Sequence, residues 1–189
     1  MHHLTGKHVA VLVTSGVEEV ELTEPVDFLR SHGATVVIVT PDRHELQQGI
    51  KAYRGTDPGA TLKADEYLEN VDPADFDAVF LPGGQSPDRL RLAPGAVSFV
   101  QAFAKANKPI FALCHAPQLL ISADLVRGKT LTSWPSVAVD LRNAGANWVD
   151  REVVVDGNLI TSRKPADIPA LTKKMEEILG QVRQQRRAA

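Results

Sequence analysis

Two Val-rich runs separated by one amphipathic stretch constrain this chain more than any other feature. Residues 8–14 (HVAVLVT) and 35–40 (TVVIVT) are short and almost wholly apolar, the pattern of strands buried on both faces. Between them Leu22, Val26 and Leu29 fall at i, i+4 and i+7, one face of a helix. Pro25 is placed near the start of that helix, where a missing N–H costs little. Gly33 follows as a C′ residue. Strand, helix and strand at this spacing make a βαβ unit, which requires a parallel sheet.

The alternation continues. Residues 78–81 (AVFL) and 110–113 (IFAL) read as two more core strands, with a helix marked by Val97, Val100 and Ala104 between them. Pro117 opens a helix reaching about residue 124, and Pro135 opens another with Val137, Leu141 and Ala144 inward. Asp156-Gly157-Asn158 signals a hairpin between residues 152–155 and 159–161. Pro165 opens the last helix, with Ile168, Leu171, Met175 and Ile178 buried. Residues 41–73 are irregular and punctuated by Gly49, Gly55 and Gly59, which predicts a hairpin excursion. The expectation is one α/β domain over residues 1–189, with a core at about 8–179 and a basic tail at 180–189 that frays. His2 and His3 are expected to be disordered.

Bulk properties narrow the function. A formal net charge of −2 gives no pull toward nucleic acid or anionic membrane. No apolar run approaches the ~18–20 residues of a bilayer span. The N-terminus lacks the apolar stretch of a secretory signal. One cysteine forms no intrachain disulfide and no multi-cysteine zinc site, in keeping with a cytoplasmic protein. With no GxGxxG and no P-loop, nothing supports nucleotide binding, and no metal or organic cofactor is expected.

In open parallel sheets ligands bind beyond the carboxyl ends of the strands. Three segments lie there: Ser15-Gly16-Val17-Glu18-Glu19, Pro82-Gly83-Gly84-Gln85-Ser86-Pro87-Asp88, and Cys114-His115-Ala116-Pro117-Gln118. Cys114 stands at a strand-to-helix turn, where free N–H donors and the helix dipole favour thiolate. Position alone leaves an inert core cysteine equally open. Glu18, Glu19 and Glu21 are not separable by sequence; any of them beside a thiolate would have a raised pKa and could move a proton. Gly83 and Gly84 leave backbone donors open for an oxyanion, or simply form a turn. His115 is the base candidate and Asp88 the candidate that orients it.

These segments together resemble the PfpI family, within the class I glutamine-amidotransferase-like superfamily that includes the parkinsonism-associated deglycase. The resembling residues are Val17-Glu18-Glu19-Val20-Glu21-Leu22, Leu81-Pro82-Gly83-Gly84, Cys114 to Leu120, Asn143-Ala144-Gly145, Val153 to Asn158, and Thr161 to Asp167. The match runs in order over about residues 8–179. It implies a flavodoxin-like three-layer sandwich, a cysteine on a nucleophile elbow, and a glutamate at Glu18 hydrogen-bonded to the thiol. It also implies an oxyanion hole near Gly84 and His115, and an acid paired with His115 from a neighbouring subunit, at Asp88. Ala116 replaces the family's frequent glycine. A homodimer or higher homo-oligomer is implied. The expected substrate is an amide, as for a peptidase, or an α-oxoaldehyde or its protein adduct. The competing function is a non-enzymatic oxidative-stress sensor or chaperone that uses Cys114 oxidation.

Overall fold

The computed structural model describes the backbone of residues 4–187 and the side chains of residues 4–181; the expectation for His2 and His3 lies outside them. The chain opens with β1 (His8–Leu12), the two-residue β2 (Val17–Glu18) and α1 (Glu19–Ser31), then β3 (Thr35–Thr40) and α2 (Arg43–Gln48). The irregular segment is a hairpin of β4 (Ile50–Arg54) and β5 (Asp57–Leu62), followed by β6 (Glu66–Tyr67). Next come β7 (Ala78–Leu81), α3 (Ser86–Leu90), α4 (Ala96–Lys105), β8 (Ile110–Leu113) and α5 (Pro117–Ser122). The remainder is β9 (Thr130–Leu131), α6 (Ala138–Asn143), β10 (Asn147–Trp148), β11 (Val153–Asp156), β12 (Leu159–Ser162) and α7 (Ile168–Arg187).

Seven strands form the central sheet in the order β11-β12-β8-β7-β1-β3-β6. All neighbours are parallel except the β11–β12 hairpin at one edge. The pleat divides the core in two, because successive strand side chains face opposite ways. Val9, Val11, Phe80 and Phe111 pack with Leu22, Leu29, Leu171 and Met175 of α1 and α7. Ala10, Leu12, Val79 and Ile110 pack with Phe99, Phe103, Leu120 and Leu141 of α4, α5 and α6. This is the three-layer sandwich expected. A second sheet, β2-β4-β5, stands beside α1.

Two details depart from expectation. Pro25 sits inside α1 rather than at its start, so the helix forfeits one i→i−4 bond; burial of Leu22, Val26 and Leu29 offsets this. The C-terminal helix continues to Arg187, into the segment read as a tail. Among the described residues no helix is long and apolar enough to cross a membrane.

Candidate active site

The strand β8 ends at Leu113 and the chain turns sharply into α5. Cys114, at the apex, has φ +61°, a left-handed conformation that costs a non-glycine residue about 1–3 kcal/mol. Both of its backbone groups are pinned. Its N–H donates to the Ser162 carbonyl at 3.0 Å, and its carbonyl accepts the Trp134 N–H at 2.9 Å. The turn holds the side chain at the floor of a cavity of about 680 Å³, lined also by Glu18, Tyr53, Asp88, His115 and Trp134. The sulfur receives backbone N–H donors from Gly84 and His115. His115 Nδ1 lies 3.3 Å from Sγ, its ring stacks on Trp134 with centroids 6.0 Å apart, and burial lowers its pKa.

The acid at the sulfur is Glu21, not Glu18. Glu21 is fully buried. Its Oε2 accepts the Gly83 N–H at 2.8 Å, and the carboxyl and the Cys114 side chain meet across Gly83, close enough for each to shift the other's pKa. Among the described residues no N–H or hydroxyl reaches Oε1. Glu18 is the extended residue that precedes α1, and its Oε2 turns to the Gly55 N–H at 2.9 Å. The reason is helical phase. Glu21, Pro25 and Leu29 repeat at i, i+4 and i+8 on the buried face of α1, so Glu21 goes inward with the core while Glu18 stays at the rim.

Burial pushes the Glu21 carboxyl up from 4.5 to about 7. Burial also pushes the Cys114 thiol up, reinforced by the Glu21 charge, while the Gly84 and His115 N–H groups act in the opposite direction. The pair therefore tolerates a single negative charge. Thiol with carboxylate, and thiolate with carboxyl, carry the same net charge. Moving the proton between them adds no further charge to the interior.

The glycine pair divides its labour. A Cβ on Gly83 would stand 2.6 Å from the Cys114 Cβ and collide with the Glu21 carboxyl. The Gly83 N–H is committed to Glu21, so it is not the oxyanion donor anticipated. Gly84, at φ +72°, lies against the backbone of Gly16 and Val17, where a Cβ would be 2.5 Å from the Gly16 carbonyl oxygen. Only glycine brings this loop so close to the β1 loop. The Gly84 and His115 N–H groups are directed at the Cys114 sulfur. Asp88 lines the cavity, but within one chain its carboxylate pairs with Arg91 at 3.5 Å and makes no hydrogen bond to His115.

The order of these elements and the elbow they build point to a known lineage, and the sequence profile of the DJ-1/PfpI family matches residues 7–178. This chain belongs to the DJ-1/PfpI family. Protein/nucleic acid deglycase 2 of Escherichia coli (strain K12) is 44% identical over 176 residues, covering 93% of this chain and 99% of that protein. The putative cysteine protease YraA of Bacillus subtilis (strain 168) is 43% identical, covering 92% of this chain and 99% of that one. The crystal structure of Drosophila melanogaster DJ-1beta superposes with a TM-score of 0.81 at 32% identity, covering 92% of this chain and 90% of that one.

At the carboxyl ends of β1 and β3 lies a second buried carboxylate that sequence reading missed. Glu45, on α2, accepts from the Thr14 hydroxyl at 2.9 Å, the Thr40 hydroxyl at 2.6 Å and the Ser15 N–H at 2.8 Å. Thr14 N–H in turn donates to buried Ser86 Oγ at 3.0 Å, and Gly16 carbonyl accepts the Gln85 N–H at 2.7 Å. Glu45 thus ties the loops after β1 and β3 to the loop that presents Gly84. The available signal was Thr14 and Thr40, each at the end of a Val-rich run, where a hydroxyl needs a partner. Among the described residues no cluster of His, Cys, Asp and Glu is arranged to hold a metal ion.

Proposed function

We propose that this chain is a cysteine-dependent enzyme acting on α-oxoaldehydes or their adducts on amines, with Cys114 as nucleophile and Glu21 as proton carrier. The observation that carries this reading is the Glu21 carboxyl, buried against the sulfur and titrating at about 7, near the pH at which a general acid–base works best. Cys114 Sγ attacks the aldehyde carbon, which an amine adduct supplies when its aminocarbinol C–N bond breaks and the free amine departs, and the Gly84 and His115 N–H groups receive the developing oxyanion. In the hemithioacetal Glu21 moves the proton from the former aldehyde carbon to the neighbouring ketone carbon. The resulting thioester takes up water, releases a hydroxy acid and restores the thiol. Neither a metal nor an organic cofactor enters this sequence. The names of the deglycase relatives support the substrate class.

Peptide amides are the second class, supported by the relative named as a cysteine protease. Amide cleavage needs an acid for the leaving amine, and among the described residues of one chain His115 has no carboxylate partner. The triad with Asp88 would therefore need Asp88 from a second copy in a homodimer or higher assembly. A lone free cysteine suits a reducing, cytoplasmic compartment. The test compares wild type, Cys114→Ser and Glu21→Gln on methylglyoxal and on peptide amides. Loss of at least ~10³-fold in Cys114→Ser is expected on methylglyoxal. Equal turnover by wild type and Cys114→Ser would sink the nucleophile. Turnover confined to amides would transfer the proposal to the second class.

A further inference from the structure

The cavity floor holds the thiol, and its wall holds a cation with no anionic partner among the described residues. Arg89 is the only lysine or arginine among the residues that line the cavity. It sits on α3, and its guanidinium is laid against the loop after β1. Nη1 donates to the Ser15 carbonyl at 3.1 Å. Gly16 lies beside the group: a Cβ there would be in ordinary van der Waals contact, 3.5 Å from both Cζ and Nε of Arg89. The neighbouring acids are turned elsewhere. Asp88 pairs with Arg91, Glu18 accepts the Gly55 N–H, and Glu21 is engaged with Gly83 and the sulfur. Among the described residues no carboxylate forms an ion pair with Arg89. A guanidinium has five N–H donors; one is committed here, and the planar fork matches a carboxylate or phosphate.

We infer that Arg89 is an anion subsite of this cavity, and that the substrate carries a carboxylate or phosphate beyond the carbonyl that Cys114 attacks. This deepens the oxoaldehyde reading and rests on it for the carbonyl chemistry. A purely neutral oxoaldehyde leaves the guanidinium without a counter-charge. An anionic one is held at both ends, with the reactive carbon over the sulfur and the charge on Arg89.

The subsite is testable without turnover. Iodoacetate and iodoacetamide deliver the same methylene carbon to Sγ with loss of iodide, and they differ in charge. With one cysteine in the chain, the alkylated site is unambiguous. The ratio of the two rate constants, iodoacetate over iodoacetamide, is measured in wild type, Arg89→Gln and Arg89→Lys. Taking a ratio on each preparation cancels differences in folded fraction and in thiol reactivity. Arg89→Gln is expected to lower the ratio about tenfold or more, and Arg89→Lys, which keeps the charge and loses the fork, by less. A ratio unmoved by Arg89→Gln overturns the subsite. A parallel measurement takes the kcat/KM ratio for 4,5-dioxopentanoate over the neutral 2-oxopentanal, which should fall in the same order. If neither oxoaldehyde is turned over while the alkylation ratio falls as expected, the carbonyl reading fails and the anion subsite stands. If both are turned over at a ratio insensitive to Arg89→Gln, the subsite fails and the carbonyl reading stands.

Discussion

Glu21 and Glu45 are both buried carboxylates at the carboxyl edge of the same sheet, and they are used in opposite ways. Glu45 takes hydrogen bonds from two hydroxyls and a backbone N–H. Those donors belong to the ends of β1 and β3, so Glu45 acts as a clamp between the loops that follow them. Glu21 takes one N–H at Oε2, and its Oε1 is left to no N–H or hydroxyl donor. Burial without full compensation raises its pKa toward neutrality, which suits a group that exchanges a proton with the sulfur beside it. Burial alone does not distinguish the two. The number of donors does.

The largest separation between them is expected in turnover. Glu21→Gln removes the titrating group and should cost ~10²–10⁴-fold in kcat. Glu45→Gln retains an acceptor for Ser15 N–H and polar contact with both threonines, and should cost only a few-fold. Comparable losses in the two variants would erase the contrast.

A smaller effect appears in stability against pH. Folded Glu21 keeps its proton to about 7, whereas the reference value is 4.5. Between these values the folded state holds more protons than the unfolded state, so stability falls as pH rises through the window. Urea unfolding of wild type relative to Glu21→Gln at pH 5 and pH 8 should show wild type losing up to about 3 kcal/mol at the higher pH. A difference independent of pH would mean that Glu21 ionises without penalty.

The smallest expected effect is Glu45→Ala, which leaves two hydroxyls and one N–H without their acceptor. It should lower the unfolding free energy by about 2 kcal/mol, with Glu45→Gln recovering most of that. Equal stability of the two variants would show that the clamp carries no weight.

Much of this architecture was legible in the residues, because strands such as β1 and β3 are short runs of Val and the hairpin at Asp156-Gly157-Asn158 has its own turn chemistry. The elbow at Cys114 was legible for the same reason: β8 ends just before it and Pro117 starts a helix three residues after it. What could not be read was which acid meets the thiol. Glu18, Glu19 and Glu21 lie within one turn, and family resemblance favoured the first. The deciding information is the phase of α1, in which Glu21 shares a face with Pro25 and Leu29 while Glu18 precedes the helix. Glu45 was invisible for a different reason. Its partners Thr14 and Thr40 belong to two parallel strand ends, 26 residues apart in sequence, and only the folded sheet brings them to one carboxylate. The extent of α7 was not legible either: the helix continues to Arg187, into the segment read as a tail.

The central claim is that Glu21, and not Glu18, shares its proton with Cys114. The most direct measurement is the pH dependence of Cys114 alkylation by iodoacetamide in wild type, Glu18→Gln and Glu21→Gln. The predicted wild-type profile has an inflection at about 7, which persists in Glu18→Gln and vanishes in Glu21→Gln. An inflection lost in Glu18→Gln and kept in Glu21→Gln would contradict the account.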